Sequence, residues 1–532
     1  MFIEVTLPLP LTQSFFYIRP ETSSSEIQPG QRVLVPFSNQ KLTAYVLKIH
    51  QDLPKSFSTK TKLKSILMVL DEKSLIPTDL FEFACWVATY YFASPGEVLK
   101  SCFPPKINPK IRRIFFLTDS GRQLLSWAKS TSQLSKRKSE ILRLLNRTST
   151  LDQKELENLA HRKIPAREIQ ELVDLEYIDI KYSSNSGITT SKKRWYVSLH
   201  PDYKNSLSKL NITLKQKSLI QQLENSKNNT ISLANLTKVL SLSSSSLKRL
   251  EKKGVLVRIQ KQIDRNPFDS FEKLDDFKTP LLSQEQKKAL LLLTRALNSQ
   301  RFSAVLLHGV TGSGKTEVYL RIIEETLKMG KTALVLMPEI SLTPRIAQEF
   351  DARLKSQIAI LHSGLSAGER YDEWWRIKNG RAQVVIGTRS AVFAPLSNLG
   401  LIVVDEEHDP SYKQQESPRY HGRDTALVLG KKTEALVILG SATPSIESFH
   451  NARVGKYGYL RLSSRIDYRP LPKVELVDMR KEFSSLNNKS PISIQLSSAL
   501  EKRLTKNEQS IILINRRGYS NFLLCRRCGQ NI

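Results

Sequence analysis

The residues best equipped for chemistry form one unbroken octet, Gly309-Val310-Thr311-Gly312-Ser313-Gly314-Lys315-Thr316, which fits the spacing GxxxxGK[ST]. Glycines at these steps let backbone N–H groups curl around phosphate oxygens. Lys315 then reaches the β- and γ-phosphates, and Thr316 offers a hydroxyl to Mg²⁺ at a helix N-terminus. Further on, Leu401-Ile402-Val403-Val404 runs into Asp405-Glu406-Glu407-His408. An apolar strand that ends in carboxylates delivers them to the sheet edge where ligands of open α/β folds collect. Alone, such an end is commonly a solvated cap. Paired with the octet, Asp405 is expected to hold Mg²⁺ through water and Glu406 to orient or deprotonate the attacking water, with Lys315, Asp405, Glu406 and His408 as the catalytic set and ATP with Mg²⁺ as cofactors.

Three further segments follow in a fixed order: Pro338-Glu339-Ile340-Ser341-Leu342-Thr343-Pro344, Gly387-Thr388-Arg389-Ser390 and Gly440-Ser441-Ala442-Thr443-Pro444. With the D-E-x-H form closing on His408, this order resembles superfamily 2 helicases. The resemblance implies that Thr388 and Arg389 line a single-strand track and that Ser441 and Thr443 couple hydrolysis to movement. It also implies that Gln286, in Leu282-Ser283-Gln284-Glu285-Gln286, reads adenine.

Asp409-Pro410-Ser411-Tyr412-Lys413-Gln414, continuing to Pro418-Arg419-Tyr420-His421-Gly422-Arg423-Asp424, narrows the resemblance to the primosomal protein N′ (PriA) family. There it is similar to an aromatic-rich loop in which Tyr412, Arg419, Tyr420 and His421 would sense single-stranded DNA by stacking and charge. Leu7-Pro8-Leu9-Pro10, Gly30 to Phe37 and Tyr90-Tyr91 through Gly96-Glu97-Val98-Leu99 resemble that family's domain for a nascent 3′ end, where Lys64 would meet a phosphate. The family's Phe-Asp-Tyr is here Phe15-Phe16-Tyr17, and its glycine after Pro-Phe is Ser38. Ile511 to Tyr519 resembles the opening of the second motor lobe, and Cys525-Arg526-Arg527-Cys528 its first zinc knuckle. A CxxC supplies two of the four ligands of structural Zn²⁺, so Cys525 and Cys528 make half a site, and zinc in the isolated chain is expected below one equivalent. The resemblance thus implies a chain truncated within its second lobe.

The elements that must position these groups are an α/β, multidomain set. Residues 1–105 read as short strands followed by a helix over 78–92. Residues 106–263 carry an internal repeat of helix, helix, helix and strand, expected as two tandem winged-helix modules. A linker at 264–280 precedes the first motor lobe, 281–462, whose near-continuous apolar strands (304–308, 333–337, 358–361, 383–386, 401–404 and 436–439) alternate with helices. Such strands form a parallel sheet covered on both faces, as in RecA-like ATPases. Residues 463–532 begin a second lobe. Trp374 and Trp375 read as helix packing.

The 81 Lys and Arg against 51 Asp and Glu leave a formal charge of +30, a field that favours polyanions. Four cysteines imply no disulfide framework, and neither a signal peptide nor a spanning run is present, so a cytoplasmic, non-membrane protein is expected. The resemblance implies an ATP-dependent 3′-to-5′ DNA helicase acting at branched forks in replication restart, with single-stranded-DNA-binding protein and primosome proteins as partners. The alternative is a scaffold that binds ATP and forks without unwinding.

Overall fold

The computed structural model describes the chain apart from residues 20–25, 39, 54–62, 106, 109, 127–133, 186–191, 204–212, 227–229, 234–243, 264–279, 340, 342–343, 355–356, 467–469, 471, 480–481, 483–491 and 514–532. Cys525, Cys528 and all but the last residue of the expected linker therefore lie outside the described residues. Residues 1–466 form one compact unit and 467–532 a second.

The chain opens with an antiparallel sheet of β1 (Phe2–Thr6), β2 (Phe15–Ile18), β3 (Arg32–Phe37), β4 (Gln40–His50) and β5 (Met68–Val69) in the order β2-β1-β4-β3-β5. Arg32, 4% exposed, grips Asp71 with Nη2–Oδ1 at 2.6 Å and Nε–Oδ2 at 2.9 Å. Two helices follow, α1 (Thr78–Tyr90) and α2 (Pro95–Ser101). The helix expected over 78–92 stops short because Phe92 takes a left-handed φ of 51°.

Two small sheets come next. In the first, β6 (Lys110–Leu117), α3 (Asp119–Ser126), α4 (Lys136–Thr148), β7 (Thr150–Asp152), α5 (Gln153–Leu159), α6 (Ala166–Asp174) and β8 (Ile178–Asn185) enclose Phe115, Leu145, Leu156 and Leu172. The second has β9 (Lys192–Leu199), α7 (Leu214–Asn225), β10 (Thr230–Ser232), α8 (Ser244–Lys252) and β11 (Leu256–Ile263). Each opens on a long strand that pairs antiparallel with the two later ones, in the orders β7-β6-β8 and β10-β9-β11. The repeat therefore starts one strand earlier than helix periodicity indicates. Glu176 and Gly254 hold left-handed φ at equivalent turns into the last strand of each.

The motor lobe contains α9 (Gln284–Asn298), β12 (Ser303–Gly309), α10 (Lys315–Lys328), β13 (Thr332–Leu336), α11 (Pro344–Leu354), β14 (Ile358–Leu361), α12 (Ala367–Lys378), β15 (Val384–Gly387), β16 (Leu399–Val404), α13 (Gly422–Lys432), β17 (Leu436–Ser441), α14 (Ile446–Arg453) and β18 (Gly458–Leu462). Its seven strands are all parallel, in the order β14-β15-β13-β16-β17-β12-β18. Alternate residues face opposite sides: Val305, Leu307 and Val335 pack under α9 and α10, while Leu306, Leu334 and Leu336 join the other core. That second core is shared with the N-terminal helices, for Phe83, Ala84 and Val87 belong to the same cluster as Phe393, Ala426 and Trp374. Trp374 Nε1 donates to the Cys102 carbonyl at 2.8 Å. The boundary expected near residue 105 thus closes a sheet but not a core.

In the unit 467–532, α15 (Ile494–Thr505) starts at Ser493, whose hydroxyl accepts from Leu496 N at 3.0 Å. No helix among the described residues is long and apolar enough to cross a membrane.

Candidate functional site

Strand β12 carries the chain to the sheet edge, where Gly312 and Gly314 adopt left-handed φ of 79° and 77° before α10 begins at Lys315. That conformation is costly for any residue with a Cβ, and it turns successive N–H groups inward. The Ser313 hydroxyl is buried with no hydrogen-bond partner among the described residues, an orphan donor within the cradle. Lys315 Nζ donates to the Gly309 carbonyl at 3.0 Å and stands 3.8 Å from Glu406 Oε1. The cradle is also held from β18, since Val310 N donates to Leu462 O at 3.1 Å and Ile466 N to Gly312 O at 3.0 Å.

Gln286 does not face outward. Its Nε2 donates to Ser313 O at 2.9 Å and its Oε1 accepts from Ser283 N at 2.7 Å, closing a capping box at the start of α9. With its amide so committed and the residue 3% exposed, Gln286 braces the cradle from below in this structure.

Strand β16 delivers the acids. Asp405 Oδ1 accepts from Tyr319 Oη at 3.0 Å, a contact that needs a glycine at 440, where a Cβ would lie 1.7 Å from that hydroxyl oxygen. Burial, with the neighbouring Glu406 charge, pushes the Asp405 carboxyl above its ordinary value. Glu406 itself sits at φ 44°, an unfavourable backbone for a side chain with a Cβ, as functional sites often hold. His408 bridges from this edge to the next strand. Its Nδ1 pairs with Ser441 Oγ at 2.8 Å and lies 3.7 Å from Glu406 Oε2, while Nε2 is 3.3 Å from Thr443 Oγ1.

Glu407, which spacing alone did not single out, is fully buried. Its carboxylate accepts from Arg423 Nη1 at 3.0 Å, Ser445 N at 2.7 Å, Ser445 Oγ at 3.0 Å and Ser448 Oγ at 2.9 Å. One carboxylate thereby ties the end of β16 to the N-termini of α13 and α14. The signal was present as the second acid after Asp405 and the Arg423-Asp424 pair, but only the fold joins them.

The 409–424 loop departs from the stacking expectation. Tyr412 and Tyr420 are each 1% exposed. Tyr412 Oη donates to Asp405 O at 2.6 Å and Leu336 O at 3.0 Å, and the Tyr420 ring meets Phe393 edge-on at 5.2 Å. These rings anchor the loop and offer no face to a base. Arg389 Nη1 donates to Ser411 O at 2.7 Å, so it holds the loop from β15, next to Thr388. Arg419 is exposed, with Nε on Gln415 O at 3.0 Å, and burial lowers the His421 imidazole from its ordinary value. A cleft of about 380 Å³ runs between Cys102–Pro105 and a wall formed by Glu339 and Arg389 beyond the strand ends and by Arg370 on α12. In the N-terminal sheet, Lys64 edges a surface cavity of about 340 Å³ with Phe15, Phe16, Phe37 and Ser38. Among the described residues no group of three or more His, Cys, Asp and Glu could hold a metal ion.

Residues 283–452 match the DEAD/DEAH box helicase family, and residues 4–104 match the 3'DNA-binding domain (3'BD) of PriA. This is a P-loop helicase lobe joined to a 3′ DNA-binding domain. Over 526 residues the chain is 34% identical to the replication restart protein PriA of Bacillus subtilis (strain 168), covering 98% of this chain and 62% of that one. It is 36% identical over 512 residues to the PriA of Synechocystis sp., covering 94% of this chain and 59% of that one. With the PriA of Chlamydia trachomatis it shares 44% over 250 residues, 47% of this chain and 33% of the relative. The chain is similar to these PriA proteins and spans about three fifths of the length of the first two of them.

Proposed function

We propose that this chain is the ATP-driven part of a 3′-to-5′ DNA helicase that recognises stalled or branched forks and reloads replication. The observation that carries the proposal is the convergence of Lys315, Glu406 and the buried, partnerless Ser313 hydroxyl around one cradle of N–H groups. Bound Mg²⁺-ATP supplies the phosphoanhydride whose hydrolysis drives the motor. The N–H groups of Thr311, Gly312, Gly314, Lys315 and Thr316, with the Lys315 ammonium, bind the phosphates. Thr316 and Asp405 would hold Mg²⁺, and Glu406 would take a proton from water. His408 links Glu406 to Ser441 and Thr443, so a change at the acid moves the end of β17. Tyr412 relays in the same way from Asp405 to the 409–424 loop, whose Arg419 and His421, with Thr388 and Arg389, face a DNA strand. The two repeated units are proposed as winged-helix modules, and Lys64 as a contact to a terminal phosphate. Cys525 and Cys528 are proposed as half of a structural zinc site. Cytoplasmic action with single-stranded-DNA-binding protein and primosome proteins follows the family.

The test is DNA-stimulated ATP hydrolysis, with strand separation of a forked duplex measured beside it. Lys315→Ala is expected to abolish hydrolysis and to leave fork binding in place. Wild-type hydrolysis by that variant overturns the assignment. Hydrolysis without strand separation selects the non-unwinding scaffold.

A further inference from the structure

The described rings of the 409–424 loop are buried, but those at the end of α1 are not. Phe83, Trp86 and Tyr90 lie in one stack, with centroids 6.5 Å and 4.8 Å apart and interplanar angles of 17° and 20°. Phe83 is fully buried and Tyr90 is 61% exposed, so the stack climbs from core to surface and leaves the outer face of Tyr90 open. Tyr91 meets Tyr90 edge-on at 5.0 Å. Phe92 is 93% exposed and held at a left-handed φ of 51°. A phenyl ring there leaves apolar area in water and sits on a strained backbone, and no packing within the described residues offsets either cost.

The loop supplies charge at this place. Lys413 Nζ stands 5.5 Å from the Tyr91 centroid and donates to the Arg419 carbonyl at 2.5 Å, which brings one cation beside the rings, with the exposed Arg419 on the same loop. Two carboxylates of this region are occupied: Glu97 accepts from Ser417 Oγ at 2.9 Å, and Asp424 pairs with Arg423 at 2.8 Å. Exposed rings beside a cation on a basic loop match a base joined to its phosphates. An apolar peptide would bury the ring faces but leave Lys413 without a counter-charge.

We propose that Tyr90 and Phe92 form a stacking platform for unpaired bases of single-stranded DNA, whose phosphates meet Lys413 and Arg419. This deepens the DNA-motor reading and rests on it. The platform belongs to the N-terminal helices, yet its cations belong to the loop whose Tyr412 bonds the Asp405 carbonyl. A strand lying on it touches both the 3′ DNA-binding domain and the ATP site's own loop.

The experiment uses the full 532-residue chain without nucleotide and an oligothymidylate carrying 5-iodouracil. Photocrosslinks are expected at Tyr90 or Phe92. Tyr90→Ala and Phe92→Ala are each expected to weaken binding by about tenfold, within the range of one lost base stack. Phe92→Trp is expected to keep it. Melting temperatures of the variants check the fold, since both side chains are exposed. If the unaltered chain fails to bind the oligonucleotide, the DNA-motor reading falls and the platform with it. If it binds and the double alanine variant binds equally well, or the crosslinks map elsewhere, the platform alone is wrong and the face serves another partner.

Discussion

Replacing Glu407 by glutamine keeps the shape of a fully buried side chain and removes its charge. Arg423, whose side chain is 14% exposed, loses the carboxylate at 3.0 Å but keeps Asp424 at 2.8 Å and the Ser445 hydroxyl at 2.8 Å. Breaking a buried ion pair from one side typically costs ~3–5 kcal/mol. The surviving partners reduce this to ~2–3 kcal/mol, the size of a charge-assisted hydrogen bond. Because Glu407 pins the N-termini of α13 and α14, the loss is local and reads as faster amide hydrogen exchange. At 1.4 kcal/mol per decade, peptides spanning 422–432 and 446–453 should exchange about 30- to 140-fold faster, while α12 peptides remain unchanged. A double-mutant cycle with Arg423→Gln isolates the pair, because each single variant already breaks it. Acceleration below about threefold, or additive single effects, would refute the view that this carboxylate joins three elements.

Glu406→Gln should keep nucleotide affinity and slow hydrolysis by roughly 10²–10⁴-fold, the usual worth of a positioned acid or base, in a single-turnover assay. Trp374→Phe should cost ~1–3 kcal/mol by leaving the buried Cys102 carbonyl unpaired, seen as a lower urea midpoint. A chain beginning at Leu281 uncovers Phe393, Ala426 and Trp374 and should lose thermal stability and ATPase together. Burial raises the Cys85 thiol to about 11 and the Cys102 thiol further. Only about 0.1% of Cys85 is then thiolate at pH 8, so alkylation of both should be slow in the native protein and fast in denaturant.

Six of the seven motor strands were legible because a strand buried on both faces is an unbroken apolar run. The seventh, β18, was not, since it alternates the exposed Tyr459 and Arg461 with the more buried Leu460 and Leu462 at a sheet edge. The phosphate cradle was legible because its glycines, lysine and hydroxyl are contiguous. What escaped the sequence was direction. A tyrosine in a basic loop reads alike whether it stacks on a base or plugs a core, and only Leu336 and Phe393, distant along the chain, decide that Tyr412 and Tyr420 plug it. The brace that Gln286 makes under the cradle was hidden for the same reason. The apolar face of α1, carrying Phe83, Ala84 and Val87, looks identical whether its cover comes from its own sheet or from residues three hundred positions later.

That shared core has a consequence for how the chain is made. Trp374 meets Cys102 across 272 residues. Ribosomes add roughly 5–20 residues per second, so the growing chain holds the uncovered face of α1 and α2 for about 15–55 s before the motor side of that core can close over it. Until then Phe83, Val87 and Phe103 form an apolar patch on a tethered, half-built product, a natural hold for a chaperone.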